Sequence, residues 1–374
     1  MRADRRKATS RDARAFRAID LFAGCGGLTS GLEAAGFKIL AAIEKNRDAA
    51  ATYKANHSKV LLYTRDIRYV SASSVLRALD LPTGESLDLI AGCPPCQGFT
   101  RLTENNGRRD PRNRLVREFL RFVRVLRPKV CMLENVPGLL TRGKRRFNKL
   151  HKGLKAAGYS VTYEVVELAD YGVPQFRKRL VLLAAQGDPI PIPRPTHRDP
   201  KTSGKSRRPS WKTVRDAIGN LPRPPLRSQV VEKEARAPYE WHYARDVASV
   251  VRRRLKHALR SGKGRVSLPP SLRLACHKRR PDGYYDVYGV MDWDTPSPTI
   301  TSGCTNASKG RFGHPATPRP LTAREAALLQ TFSRKYKFKG SGLESVAAQI
   351  GNALPRRFAK VVGRAIAKQL STAT

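Results

Sequence analysis

The side chain best placed to do chemistry is Cys96. It lies in the stretch 88–100, where Leu89, Ile90 and Ala91 run into Gly92, Cys93, Pro94, Pro95, Cys96, Gln97, Gly98 and Phe99. A short apolar run that ends at a glycine and two prolines reads as a buried strand followed at once by a rigid loop. In an open α/β sheet, the loops beyond the carboxyl ends of the strands are where ligands gather. The prolines fix their own φ and restrict the residues before them, so the thiol is presented from a stiff backbone. A thiol held in this way is a candidate nucleophile. It is equally a small buried hydrophobe, or one half of a C-x-x-C redox or zinc pair with Cys93. Zinc needs four ligands, and Cys25, Cys131, Cys276 and Cys304 stand isolated, so no metal is expected.

Other reactive groups sit at similar places in the pattern. Val130 to Leu133 form a second apolar run that ends in Glu134, Asn135, Val136 and Pro137. Arg177 and Arg179, in Gln175-Phe176-Arg177-Lys178-Arg179, share one face if that segment is extended. Near the N-terminus, Ile19 to Ala23 lead into Gly24-Cys25-Gly26-Gly27, a turn whose glycines let a ligand approach backbone and helix N-terminus. The turn is not a nicotinamide fingerprint, because Thr29 takes the place of the third glycine. Glu44 follows about twenty residues later at the end of another apolar run, where an acid can bind ribose hydroxyls or simply cap a helix. Asp66 follows a third run, so that Phe22, Glu44 and Asp66 mark three strand ends around one nucleoside pocket.

These residues need a framework to hold them. Strands are expected at 19–23, 39–43, 60–63, 89–91, 130–133, 159–166 and 179–184. Helices are expected at 28–35, 115–126, 247–259, 320–332, 346–352 and 356–370, the last two flanking a Gly-Asn-Ala-Leu-Pro turn. Thr322 and Glu325 form a capping box for the helix at 320–332. The polar, arginine-rich stretch 101–113 reads as a lid beside Cys96. Composition shifts after Gln186, and 187–281 is rich in Pro, Arg, Lys and Ser, which marks a separate, irregular module. The expected division is a basic flexible arm (1–17), a catalytic and cofactor-binding domain (18–186), a smaller domain (187–344) and a return to the first (345–374).

Composition bounds the partner. The 374 residues carry 72 Lys+Arg against 30 Asp+Glu, a net charge of +42. Such a field calls for a polyanion, and nucleic acid is the usual one. Six cysteines without regular spacing argue against a secreted disulfide framework. No run approaches the roughly 18 apolar residues of a membrane span, and 1–17 has no apolar core of the kind a signal peptide needs.

One reaction uses a thiol, an acid, arginines, a nucleoside pocket and a polyanionic partner together. Cytosine C5 is too electron-poor to take a methyl group unaided, but a thiolate adding at C6 makes the ring an enamine-like nucleophile. Glu134 would hydrogen-bond N3 and the exocyclic amine, and Arg179 would hold O2 and lower the thiol pKa. The base must first be flipped out of its duplex, at a cost of about a few kcal/mol.

Six motifs now carry a resemblance. Asp20 to Gly27, Pro94 to Phe99, Glu134-Asn135-Val136, Gln175 to Arg179, Arg319 to Phe332 and Gln349 to Pro355 resemble, in order and spacing, the motifs of the DNA (cytosine-5)-methyltransferases. The match runs from Ile19 to Phe358. It implies an α/β fold, with a Rossmann-like S-adenosylmethionine-dependent methyltransferase sheet, helices on both faces and a smaller irregular target-recognition domain. By position, Cys96 is implied as the nucleophile, Glu134 as the acid on the cytosine edge, Arg179 as the O2 contact and Arg177 as its supporting arginine. Phe22, Gly24, Gly26, Glu44, Asp66, Pro95, Leu115 and Asn352 are implied as S-adenosylmethionine contacts. The implied partner is double-stranded DNA, read by a monomeric, cytoplasmic, nucleoid-associated enzyme, with a cognate restriction endonuclease in the same system. Two departures stand out: Thr100 where Ser is common, and a target-recognition segment low in recognisable pattern; separately, Cys93 beside the nucleophile is expected to add an oxidation liability. A tRNA-directed branch shares the motifs but tends to lack a long recognition insertion, whereas this chain has more than 100 residues there. A catalytically inactive DNA-binding relative is opposed by the intact Cys96, Glu134 and Arg179.

The charge generates the first prediction. Contacts made mostly to phosphates release counterions, so log affinity for duplex DNA should fall linearly with log salt. Fluorescence anisotropy between low and physiological salt measures the slope, and a slope near zero would contradict phosphate-dominated binding.

Overall fold

The computed structural model describes residues 15–81, 86–95, 115–202, 207–230, 240–262, 264–279 and 285–372. Cys96, the expected lid at 101–113 and residues 1–14 of the expected arm lie outside the described residues.

Along the chain, β1 (Phe16–Leu21), α1 (Gly27–Glu33), β2 (Phe37–Ile43), α2 (Arg47–Asn56), β3 (Leu61–Tyr63), α3 (Ala72–Ala78) and β4 (Leu89–Gly92) come first. Next are α4 (Leu115–Leu126), β5 (Val130–Asn135), α5 (Lys144–Ala156), β6 (Tyr159–Glu167) and β7 (Lys178–Gln186). Among the described residues of the remainder, the regular elements are helices, with isolated β-bridges between them: α6 (Val214–Ile218), α7 (Ser249–Ser261), α8 (Ala275–Arg279), α9 (Ala323–Leu329), α10 (Leu343–Asn352) and α11 (Arg356–Thr372). The seven strands make one sheet in the order β3-β2-β1-β4-β5-β7-β6. Strands β1 to β5 pair in parallel, and β7 runs antiparallel to both its neighbours.

The central strands form where the sequence has uninterrupted apolar runs, because both faces of a parallel sheet are covered. All of β4 and β5 is buried, while the edge strand β6 is exposed along its middle. One face packs α3, α4 and α5 against Ile19, Ile90, Cys131 and Leu182. The other packs α1 and α11 against Ala18, Leu89, Met132 and Val181. Apolar residues of α4 recur every three or four positions, and Leu115, Phe119, Phe122 and Leu126 are all buried. The helix ends at Arg127, whose φ of 46° turns the chain ahead of Pro128.

Two sequence expectations are corrected by the backbone. Phe16 and Arg17, assigned to the arm, belong to β1, where the Arg17 N–H donates to Asp88 Oδ2 at 2.8 Å. Helix α9 keeps its capping box, with Thr322 Oγ1 accepting from the Glu325 N–H at 3.1 Å. It stops earlier than expected because Thr331 takes φ 63°. A third core joins Cys25 to α6, α9 and α10 through Ile218, Leu329, Phe332 and Ile350. Leu321, within the expected smaller domain, lies in this same core as Cys25 of the turn after β1. A small fourth core under α7 is built from Leu255, Leu268, Tyr288 and Ala307. There Arg254 is buried, donates to the Leu272 carbonyl at 2.8 Å and stacks on Tyr288, while Arg252, Arg253, Lys256 and Arg260 stay exposed.

Helices α1 and α11 meet almost backbone to backbone. A Cβ at Gly31 would lie 2.3 Å from the Ala359 Cβ and 2.6 Å from the Arg356 carbonyl oxygen. Gly31→Ala must force the helices apart and should cost about 1–3 kcal/mol, the usual range for overpacking. Urea unfolding should show a lower midpoint at an unchanged slope, whereas a wild-type midpoint would mean that the two helices have room to spare.

Candidate active site

The site is assembled at the carboxyl edge of the sheet. At the end of β1 the chain reverses through Phe22 (φ 64°), Gly24 (φ 57°) and Gly26 (φ 90°) before α1 begins. A left-handed phenylalanine is strained and persists only when its surroundings over-determine it. Here the Ala23 N–H donates to the Ile43 carbonyl and the Gly26 N–H to the Ala23 carbonyl, both at 3.0 Å. Gly26 has no space for a side chain, since a Cβ would sit 2.7 Å from both His57 Nε2 and the Tyr336 hydroxyl. That hydroxyl donates to the Cys25 carbonyl, which ties the loop to the 333–338 turn.

Glu44, just past β2, clamps this loop. One carboxylate oxygen accepts the Gly24 N–H at 2.9 Å and the other the Asn46 N–H at 2.6 Å. Burial raises its pKa, and the two N–H donors oppose the rise. A carboxylate has roughly four acceptor positions, so two remain for a diol. Asp66 accepts from Arg68 Nε at 3.0 Å and lies 3.4 Å from Lys45 Nζ; the Arg68 hydrogen bonds hold its carboxyl well below the usual range. Phe22 and Leu115 share the apolar cluster on one face of the sheet. Pro95 is half-buried beyond β4, and Asn352 is exposed at the end of α10.

Asp20 is the site residue that sequence reasoning passed over. It is fully buried in β1 and accepts from Thr29 Oγ1 at 2.7 Å through one oxygen, while its Oδ1 has no partner among the described residues. Burial pushes its pKa up to about 7. The available signal was an acid inside the apolar run Ala18-Ile19-Asp20-Leu21-Phe22, since unpaired acids are almost never fully buried.

A few residues along the same edge, Glu134 and Arg179 form an ion pair, with Arg179 Nε 2.7 Å from Glu134 Oε1 and both side chains nearly buried. Asn135, the next residue, donates from Nδ2 to the Pro94 carbonyl at 3.1 Å, which fastens the backbone leading into Cys96. Cys93 follows the Gly92–Leu133 pair of the β4–β5 ladder, and its thiol hydrogen-bonds the Glu134 carboxyl. Burial, and then the Glu134 charge, raise that thiol well above its ordinary range. Cys93 therefore stays protonated, which works against the oxidation expected from its spacing.

Arg177 and Arg179 do not act side by side. The chain before β7 bridges Gln175 to Ser297 rather than continuing the sheet. The Arg177 guanidinium is buried and donates to the carbonyls of Ile300 at 2.9 Å and Gly351 at 3.2 Å. It joins three remote segments beneath the site, while Arg179 alone reaches Glu134.

The whole chain, and not just the site, carries a recognisable pattern. The sequence model for C-5 cytosine-specific DNA methylase matches residues 16–368. The chain belongs to the C-5 cytosine-specific DNA methylase family. It is 36% identical over 360 residues to the Type II methylase M.HgiDII of Herpetosiphon aurantiacus, covering 94% of this chain and 95% of that protein. It is 32% identical over 384 residues to the Type II methyltransferase M.XorII of Xanthomonas oryzae, covering 94% and 84%. Among solved structures, a prophage-encoded protein of E. coli described as a DNA modification methyltransferase superposes with a TM-score of 0.68 at 22% identity, over 95% of this chain and 99% of that one. The S. pombe Dnmt2 methyltransferase gives 0.56 at 20% identity, over 96% and 99%. The α/β methyltransferase fold expected from the motifs is the one observed.

This methylase uses S-adenosylmethionine to methylate cytosine at C5 in DNA. Its residues fit that cofactor, which carries a sulfonium, an ammonium and a ribose diol. Glu44 keeps acceptor capacity for the diol, Gly24 leaves open space where a side chain would project, and Asp20 holds an unpaired buried oxygen for a cation. Among the described residues, no helix of the methylase is long and apolar enough to cross a membrane.

Asp20 gives a pH prediction. Its pKa is about 7 in the fold against 3.8 ordinarily. Between those values the folded protein keeps a proton that the unfolded chain has released, so stability drains as pH rises through the window and the loss is complete above about 7. Asp20→Asn removes the effect. The variant-minus-wild-type unfolding free energy should grow in favour of the variant from pH 5 to pH 8, and a flat difference would mean that Asp20 ionises normally.

Proposed function

We propose that this methylase acts on a cytosine flipped out of a specific duplex sequence, through a covalent bond between Cys96 Sγ and C6. The observation that carries the reading is the Glu134–Arg179 pair at 2.7 Å, set beside the tethered Pro94 backbone. A flipped cytosine presents O2, N3 and its exocyclic amine along one edge. Arg179 donates to O2, and Glu134 engages N3 and the amine. Cys96 adds to C6, and the displaced electron pair of the C5–C6 double bond makes C5 nucleophilic. When bound, S-adenosylmethionine would supply the electrophilic methyl group that C5 accepts, its sulfonium sulfur being left as a thioether. Loss of the C5 proton then expels the thiolate and restores the aromatic ring.

Phe22, Gly24, Gly26, Glu44, Asp66, Pro95, Leu115 and Asn352 are proposed to line the cofactor pocket, with Asp20 added to them. Arg177 is proposed as a positioning residue, because its guanidinium holds the 300 and 351 segments to the start of β7. The division into 18–186, 187–344 and 345–374 is kept as a functional one, with 187–344 reading the target. Its phosphate contacts include the exposed Arg252, Arg253, Lys256 and Arg260 of α7. The enzyme is proposed to be monomeric and cytoplasmic, to act at the nucleoid and to work alongside a cognate restriction endonuclease, the last in keeping with the likeness to Type II methylases.

Transfer of labelled methyl groups from S-adenosylmethionine to unmethylated bacterial DNA tests the assignments. Cys96→Ser should abolish turnover, and Glu134→Gln should slow it by about 10²–10⁴-fold, the usual share of a positioned acid. Arg179→Ala should cost about 10²–10³-fold, as for the loss of one oxyanion-type donor. Cofactor binding should persist in all three. A Cys96→Ser enzyme with native turnover would contradict the mechanism.

A further inference from the structure

Away from the reaction site, α6, the end of α9 and the start of α11 line an open pocket of about 470 Å³, bounded on one side by the turn at Gly172 and Pro174. None of its lining residues belongs to the active site described above. Its volume falls within the roughly 300–1,000 Å³ of small-molecule sites. We infer that this cavity binds a small phosphate-bearing molecule.

The charge of the wall is the reason. Lys212, Arg356, Arg357, Lys360 and Arg364 line it, against a single acid, Asp216. Asp216 lies 3.4 Å from Lys212, and among the described residues no carboxylate pairs with the other four. Arg356, Lys360 and Arg364 recur every four residues on α11, a spacing at which like charges repel. Arg356 and Arg357 also fall in the first turn, which has no acid, so they add positive charge to the positive end of the helix dipole. A multivalent anion resting between Lys212 and α11 offsets each of these repulsions at once.

The cavity is also fixed in shape. The Arg357 N–H donates to Thr331 Oγ1 at 2.9 Å, which docks the start of α11 on the end of α9. Gly172 takes φ 77°, and a Cβ there would meet His197 Cε1 at 2.5 Å and Arg357 Nε at 2.6 Å, so the guanidinium packs over bare backbone. His197, buried behind it, is pushed below its ordinary pKa by burial and then by Arg357 and Lys212, which marks the same positive field. Leu328 and Val361 supply an apolar wall beside the cations. Half-buried Lys212, Arg356 and Lys360 at the base, with Arg357 and Arg364 at the rim, suit a compact anion rather than a duplex.

Calorimetric titration of the full-length protein with inorganic diphosphate, at fixed ionic strength, tests the site. Saturable binding at one equivalent is expected, weakened at least tenfold in Arg356→Gln/Lys360→Gln. A variant matched in charge, Lys149→Gln/Lys152→Gln on the exposed face of α5, should bind like wild type. Equal loss in both variants, or non-saturable uptake by wild type, would reduce the effect to general screening and overturn the inference. Displacement of diphosphate by one equivalent of short duplex DNA would assign the cations to the DNA backbone and overturn it as well. Both variants should retain wild-type methyl transfer, which shows that they fold.

Discussion

The ion pair between Glu134 and Arg179 is the contact around which the rest of this methylase is arranged. A nearly buried carboxylate must be paired or lose its charge, and the pairing here is a consequence of topology. In an all-parallel sheet, every strand would deliver its last residues to the carboxyl edge. β7 enters the sheet reversed, between β5 and β6, so its first residues reach that edge instead. Arg179 thereby meets an acid at the end of β5, and the guanidinium and carboxyl are held as one rigid, polar edge. Arg177, two residues earlier, has not yet entered the strand; it turns beneath the site and bonds the carbonyls of two segments from the far end of the chain.

The cofactor side obeys the same economy of short, strained backbone. Phe22, Gly24 and Gly26 all take left-handed conformations within five residues, and Glu44, just past the neighbouring strand, holds the turn by the Gly24 N–H. Asp20 beneath it is a buried acid left incompletely paired, a cost that a cationic ligand would offset. Loop, clamp and acid are separate in sequence, yet they converge because β1 and β2 are adjacent and parallel.

Much of this was legible in the sequence for a simple reason. Strands in the middle of a parallel sheet are apolar on both faces, so β2, β4 and β5 read directly as unbroken runs, and α4 and α11 showed clean helical spacing. Helix α5 was missed because Lys144, Arg145, Arg146, Lys149, Lys152 and Lys155 hide a narrow stripe formed by Phe147, Leu150 and Leu154. The short α2 and α3 were missed for want of such a stripe. The expectation that Arg177 and Arg179 share a face failed because strand periodicity holds only within a strand, and β7 begins at Lys178. Asp20 was hidden inside a motif whose glycines drew the attention. The long-range pairing of Glu134 with Arg179 was not legible in the sequence, since 45 positions of chain carry no local signal of contact.

The central claim is that sulfur 96 bonds covalently to a cytosine held by that polar edge. Duplexes in which every cytosine carries fluorine at C5 block the last step, since no proton is left there to lose. Mixed with the enzyme and S-adenosylmethionine and run on a denaturing gel, they should give a stable protein–DNA band that depends on the cofactor and is absent with Cys96→Ser. Failure of the active wild-type enzyme to form the band, or its persistence in Cys96→Ser, would contradict the account.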